Sequence, residues 1–526
     1  MQIFLPKLAS RVARWAVIVP AVILGPACTD LTEVPEDALT PANAFKTEEE
    51  ILAGVASVYA GLRGTHWGYY NLSEVTTDEV VVPTRGNDWY DNGRWLEIHR
   101  QLWTASSGSA LDDMNGVWND LFSGVARANL MISVIEQAGG ASSATTLAEL
   151  RTLRAWYYFM LQDFFGGVPL VTTTRVEPRA RVTRDSLFSF IESELNATRN
   201  VLPLTWPAAQ YGRLTRGAAD AILASLYLNA GVFKKGTGIN ARSYNSCQGV
   251  TVSGGASACA AAITAADRVL NSGTYTLAAN VKDNFSATNN NSPENIFVIA
   301  FSSTAGLGMN LPMRTLHYTQ LSLGPWNGFA TLAETYNAFD AADSRKGMWL
   351  QGPQVSFSTG LPVQDRQGNP LNFTAIIANV DAATESEGVR FNKFPPLGSA
   401  TDGNGFSNDF PFFRLADMYL TKAEALNEQG NTAAAIAQIN IVRARAFSPA
   451  QPIAGGLTQP QVRDAILKER LLEFAGEAKR RTDLVRHGRF LEARAFKQLR
   501  EAHKVIFPIP ATQIQTNSLL TQNPGY

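Results

Sequence analysis

From Arg414 to Gln429 apolar residues fall at Leu415, Met418, Tyr419, Ala423 and Leu426, and beyond Gly430-Asn431 they resume at Ile436, Ile439 and Val442. That spacing predicts two helices, each with one apolar stripe. Gly430 supplies the turn that ends the first helix, and the alanines of AEALNEQGNTAAAIAQIN let the two backbones pack closely. A lone hairpin leaves much of its two stripes uncovered, so a chain built on this unit stacks further helices against it.

The Ala423–Asn440 string is similar to a tetratricopeptide hairpin, and more pairs are expected. Leu147 to Phe165 reads as a helix stopped by Gly166-Gly167 and barred from resuming by Pro169, with Arg184 to Asn200 as its partner. Arg216 to Ala230 and Ala260 to Asn271 form another pair. The expected fold is mainly α: an α-solenoid-like scaffold of helical hairpins, irregularly spaced along the chain. Residues 280–409, rich in Gly, Asn, Ser and Pro, read instead as a large irregular subdomain of loops and short strands mounted on the helices. At about 150 residues per domain the length admits three to four units.

Lys7, Arg11 and Arg14 precede the apolar run Trp15–Leu24, and Gly25 and Ala27 follow. This is the layout of a secretory signal peptide over residues 1–27; the run is shorter than the ~20 residues that span a bilayer. Cys28 stands directly behind it and is the expected lipidation site, although Leu24 lies four residues before it and Pro26 interrupts the box. Export favours a disulfide between the other two cysteines, Cys247 and Cys259, across a Gly/Ser-rich loop.

Forty-five basic residues balance 46 acidic ones, which argues against nucleic acid as a partner. Five histidines and three cysteines leave no metal-ligand spacing, and no HExxH, GxSxG, P-loop or GxGxxG occurs, so neither a metal, a cofactor nor catalysis is expected. Glu469, Glu473, Glu477 and Arg481 follow at four-residue steps, read as ion pairs along one helix face, and Asp343 with Arg345 reads as a structural pair.

Aromatic clustering is the more informative signal. Trp67, Trp89, Trp95 and Trp103, four of ten tryptophans, fall within one short stretch. Trp89 and Trp95 stand among turn residues and polar groups: Asp78, Arg85, Asn87 and Asp88. Flat rings cover the C–H face of a sugar while such side chains take its hydroxyls, so these residues are the candidate ligand-binding set. Trp326 in LSLGPWNGF, near Tyr318 and Asn327, is a second candidate. Trp103 and Trp118 lie in more regular patterns and are assigned to the core.

Five motifs in order then carry a resemblance. They are LRAWYY at 153–158 with FGGVPL at 165–170; RLADMYL at 414–420 with Ala423-Glu424-Ala425; and INIVRARA at 439–446. Glu469-Arg470, Glu473-Phe474 and Arg480-Arg481 before Asp483-Leu484 follow, then Phe507-Pro508-Ile509-Pro510 with QNPGY at 522–526. Together they resemble the SusD/RagB family of nutrient-binding outer-membrane lipoproteins. The resemblance divides the chain into an N-terminal SusD-like region, 28–273, and a C-terminal region, 274–526. It implies a tetratricopeptide-like scaffold, no enzymatic activity, and lipid anchoring at the surface of the outer membrane. It further implies capture of oligosaccharides or peptides and delivery to a SusC-type TonB-dependent transporter. The alternative is a helical-repeat adaptor in the periplasm that binds no small ligand.

Overall fold

Thr47 opens helix α1 (Glu48–Glu74) with a reciprocal cap: its hydroxyl accepts from the Glu50 amide at 3.2 Å while the Glu50 carboxylate accepts from the Thr47 amide at 2.8 Å. The computed structural model describes residues 45, 47–106, 108–138, 143–235, 240–396 and 402–526; the expected signal peptide and Cys28 lie outside them. No helix among the described residues is long and apolar enough to cross a membrane.

The expected helical pairs are present, with two long helices added at the N-terminal side. Helix α1 packs on α3 (Leu111–Ala138), α3 on α4 (Ser143–Phe165), and α4 on α5 (Arg184–Thr198); the short α2 (Arg94–Arg100) lies between α1 and α3 in sequence. Next come α6 (Arg216–Leu228), the single turn α7 (Ala230–Phe233) and α8 (Ala258–Leu270), with α6 packed on α8. A Cys247–Cys259 disulfide ties the loop before α8 to the helix itself. Gly166, at φ 74°, ends α4 as the Gly-Gly pair requires.

Among the described residues, the irregular subdomain holds α9 (Leu311–Thr315), α10 (Ala333–Ala338) and all but one strand of three two-stranded antiparallel ribbons. Strand β1 (Asn295–Ile299) pairs with β6 (Phe410–Arg414), β2 (Trp349–Leu350) with β5 (Arg390–Phe391), and β3 (Gly352–Pro353) with β4 (Asn372–Phe373). The chain then returns to helices: α11 (Leu415–Glu428), α12 (Thr432–Arg443), α13 (Gln459–Phe474), α14 (Arg480–Arg486) and α15 (Ala511–Thr516).

Two expectations need correction. Length admitted three to four units, yet Phe45–Tyr526 is one compact unit. The cause is the helical stacking itself: α11, beyond the 273/274 division, packs on α8 and α6 before it, so one core runs through both regions. The charged segment 469–486 is not one helix either. Helix α13 ends at Phe474, and Gly476 (φ 75°) and Ala478 (φ 58°) turn the chain into α14. Its charges therefore reach across the fold rather than along a face. Arg414 bonds Glu294 (2.8 Å), Glu473 (2.6 Å) and Glu477 (2.8 Å), and Arg345 bonds Asp343 (2.8 Å), Glu469 (2.7 Å) and Glu473 (2.8 Å), all deeply buried.

Residues far apart in sequence meet at α4. The Asn523 amide donates to the carbonyls of Phe165 (3.0 Å) and Phe507 (2.8 Å), and Arg481 pairs with Asp163 at 2.8 Å. The C-terminal QNPGY segment thus closes over the end of α4 instead of trailing from it.

Candidate functional site

The 85–93 segment is shaped by backbone more than by side chains. Arg85 and Asp88 exchange both backbone hydrogen bonds at 3.0 Å around Gly86 (φ 63°) and Asn87, which is exposed at the tip. Trp89, Asp91 and Asn92 then take φ of 61°, 41° and 55°, left-handed values rare for residues with a Cβ. Each costs about 1–3 kcal/mol and persists only where the surrounding structure imposes it, and such residues gather at ligand sites. Asn327, beside Trp326, is a fourth, at φ 50°.

This geometry brings the two aromatic candidates together. The Trp89 indole N–H donates to the Trp326 carbonyl at 2.6 Å, and the two rings lie 6.5 Å apart, tilted by 46°. Gly328 makes the approach possible, because a Cβ there would stand 2.3 Å from the Trp89 ring. Trp89 and Trp326 are both partly buried against the core. Beside them the Tyr318 hydroxyl donates to the Asp88 carboxylate at 2.6 Å, Arg366 pairs with Asp88 at 2.9 Å, and its guanidinium covers the Tyr318 ring at 4.1 Å. Asp88 and Arg366 keep 37% and 47% of their side chains exposed, so both remain open to a ligand.

The other sequence candidates have different roles. Trp95 was expected in an exposed loop but is only 5% exposed: it sits in the first turn of α2, edge-on to Trp89 at 5.2 Å and to Phe329 at 5.5 Å. It supports Trp89 from below and is not a surface ring. Arg85 is buried and donates to the carbonyls of Asn327 (2.8 Å), Gly328 (3.0 Å), Thr384 (3.1 Å) and Glu387 (3.0 Å), a clamp beneath the rings. Burial lowers its pKa to about 10, which leaves it cationic at neutral pH. Asp78 is drawn away to Arg480 (2.7 Å) and Arg494 (3.0 Å). Burial opposes its ionisation, but these cations outweigh it and hold the carboxyl below its usual range. Trp103 and Trp118 are core residues.

Arg366 and Glu385 were not singled out from the sequence. Glu385 accepts from Arg366 (2.5 Å) and meets His317 at 2.9 Å. Burial would raise its carboxyl, but Arg366 and His317 outweigh this and keep it below the ordinary range. Burial lowers His317 despite the carboxylate beside it. Half-buried rings are therefore edged by polar groups that are already paired with one another.

Two family models match the chain: one described as the SusD family over residues 334–497, and one described as "Starch-binding associating with outer membrane" over residues 33–228. Whole-length relatives agree. SusD-like protein P25 of Formosa agariphila is 24% identical, covering 94% of this chain and 96% of its own. The starch-binding protein SusD of Bacteroides thetaiotaomicron is 24% identical over 89% of this chain and 86% of its own. Among solved structures, a laminarin-binding SusD-like protein shares the fold with a TM-score of 0.71 at 23% identity, covering 92% of this chain and all of the other. The matches fall on both halves of a fold whose motif residues also meet in space, and the chain belongs to the SusD/RagB family.

Proposed function

We propose that Trp89, Trp326 and Tyr318, with Asp88 and Arg366, form a carbohydrate-binding platform on a lipid-anchored outer-membrane protein. In this reading Cys28 carries the anchor, the platform faces outward, and captured oligosaccharide passes to a SusC-type TonB-dependent transporter. One observation carries the platform: two aromatic segments more than 200 residues apart are held together at the surface by a direct hydrogen bond. Rings of this kind cover sugar C–H faces, and Asp88 and Arg366 supply an acceptor and donors for hydroxyls. The relatives named for binding starch and laminarin favour a glycan over a peptide. The relatives are named as binding proteins, which supports binding over catalysis.

The test is retardation and calorimetry of the mature protein on laminarin, starch and a peptide panel. A Trp89→Ala/Trp326→Ala double variant with near-native melting should lose glycan affinity by roughly tenfold or more. Unchanged affinity would remove the platform, and retention of peptides alone would replace the ligand class. Failure of the wild type to bind any member would favour the adaptor reading. Cys28→Ala should release the protein from membranes, and protease added to intact cells should digest it.

A further inference from the structure

Trp89 and Tyr90 are neighbours in sequence but lie against different surfaces. Trp89 rests on Trp326, whereas Tyr90 is 56% exposed and lines a cleft of about 440 Å³ between α2 and Asp381 of the irregular subdomain. Trp89 itself is left-handed, at φ 61°. The cleft wall carries Arg100 and Asp381 in a forked pair, at 3.0 and 2.6 Å, and both side chains stay open to water. Asn92 and Thr104 line it as well, and Leu102, 46% exposed, forms its far edge. Across Leu102 and Thr104 lies a second cleft of about 510 Å³, which extends to His503 and Tyr526.

These volumes suit small ligands, and the chemistry narrows the class. The cationic group on the first cleft's wall is matched by a carboxylate, so the wall offers an anion little net attraction. The exposed apolar groups are one ring and one leucine edge, too few for a lipid chain. An exposed ring beside an amide, a hydroxyl and a forked ion pair instead matches a pyranose, with its apolar C–H face and its many hydroxyls.

We propose that the Tyr90 cleft is a second saccharide subsite, contiguous with the platform through the 89–93 turn, so that the protein selects chains longer than the platform alone can seat. The proposal rests on the carbohydrate reading of the platform. Its test is a calorimetric ladder of laminari- and malto-oligosaccharides of increasing length against the full mature chain. Wild-type affinity should climb with length. Tyr90→Ala, at an exposed position, should melt like wild type, keep its affinity for the shortest ligands, and lose about threefold to tenfold on the longest. Asp381→Ala should flatten the same climb, while Trp326→Ala should lower every rung. Tyr90→Ala and Asp381→Ala ladders superimposed on wild type, with Trp326→Ala still damaging, would overturn the cleft and leave the platform standing. A ladder that survives Trp326→Ala but collapses in Tyr90→Ala would overturn the platform reading and support the cleft. A wild-type chain that binds no length of either series would overturn both.

Discussion

Around Arg414 and around Trp89 the protein gathers similar side chains, arginines and carboxylates among aromatic rings, yet water reaches only the second. In the first region Arg345, Lys393, Arg414, Arg443 and Arg445 face Asp343, Glu294, Glu469, Glu473 and Glu477, and most of these groups are almost wholly buried. The guanidinium of Arg414 lies over the rings of Phe285 and Phe474. In the second, Asp88 and Arg366 are paired but open, and Trp89 and Trp326 show part of each ring. Density of charge therefore does not mark the site. What separates a structural network from a binding surface is whether paired groups keep spare hydrogen-bonding capacity toward solvent.

The comparison breaks most visibly at its buried end. Arg414→Ala leaves three buried glutamates short of a cation and should cost about 3–5 kcal/mol in denaturant unfolding; a loss below about 1 kcal/mol would show the network to be dispensable. Trp95→Ala, next in size, should cost about 3 kcal/mol and lower glycan binding only through a weakened fold. Native melting with lost binding would move Trp95 to the platform side.

A pH series sharpens the buried end further. Glu74 and Glu79 are buried, accept from the amides of Ala478 and Gly476 at 2.5 and 3.0 Å, and are both pushed up by burial. Raised carboxyls contribute stability fully below their unfolded value near 4.5 and lose it as pH rises through the folded values. Wild type should thus lose more stability than Glu74→Gln between pH 5.5 and 8 in thermal melts. Burial of His66 and His99, lowered to about 3 and about 4, acts in the opposite direction but equally in both proteins. Parallel curves would refute a titrating pair. The smallest effect belongs to Tyr318→Phe, which keeps the ring and removes the hydroxyl from Asp88. Affinity for glycan should fall by about 1 kcal/mol with melting unchanged, and calorimetry would show it.

The scaffold was legible because helical pairs write their period locally: α4, α5, α6, α8 and α11 lie within a few residues of their expected bounds. The site was legible in halves. Trp89 and Trp326 stood out beside turn residues, but nothing local announces that residues 89 and 326 touch. Trp95 was misplaced because Gly93 suggests a loop, whereas the apolar spacing of Trp95, Leu96 and Ile98 already describes an inward-facing helical turn. Arg366 left no signal at all; its importance arises only where an irregular loop folds back on Tyr318. The charge run at 469–486 misled for the same reason, since Gly476 breaks the helix that a four-residue period presumes.

Arg85 grips four carbonyls from two distant segments, so the rings above it are set before any ligand arrives. Ordering a mobile side chain on binding usually costs about 0.5–1.5 kcal/mol, and here that entropy is surrendered during folding instead. A surface so prepared needs no loop to close over a ligand, and none to reopen. Binding there would run at the pace of encounter and release at the pace of contact breaking.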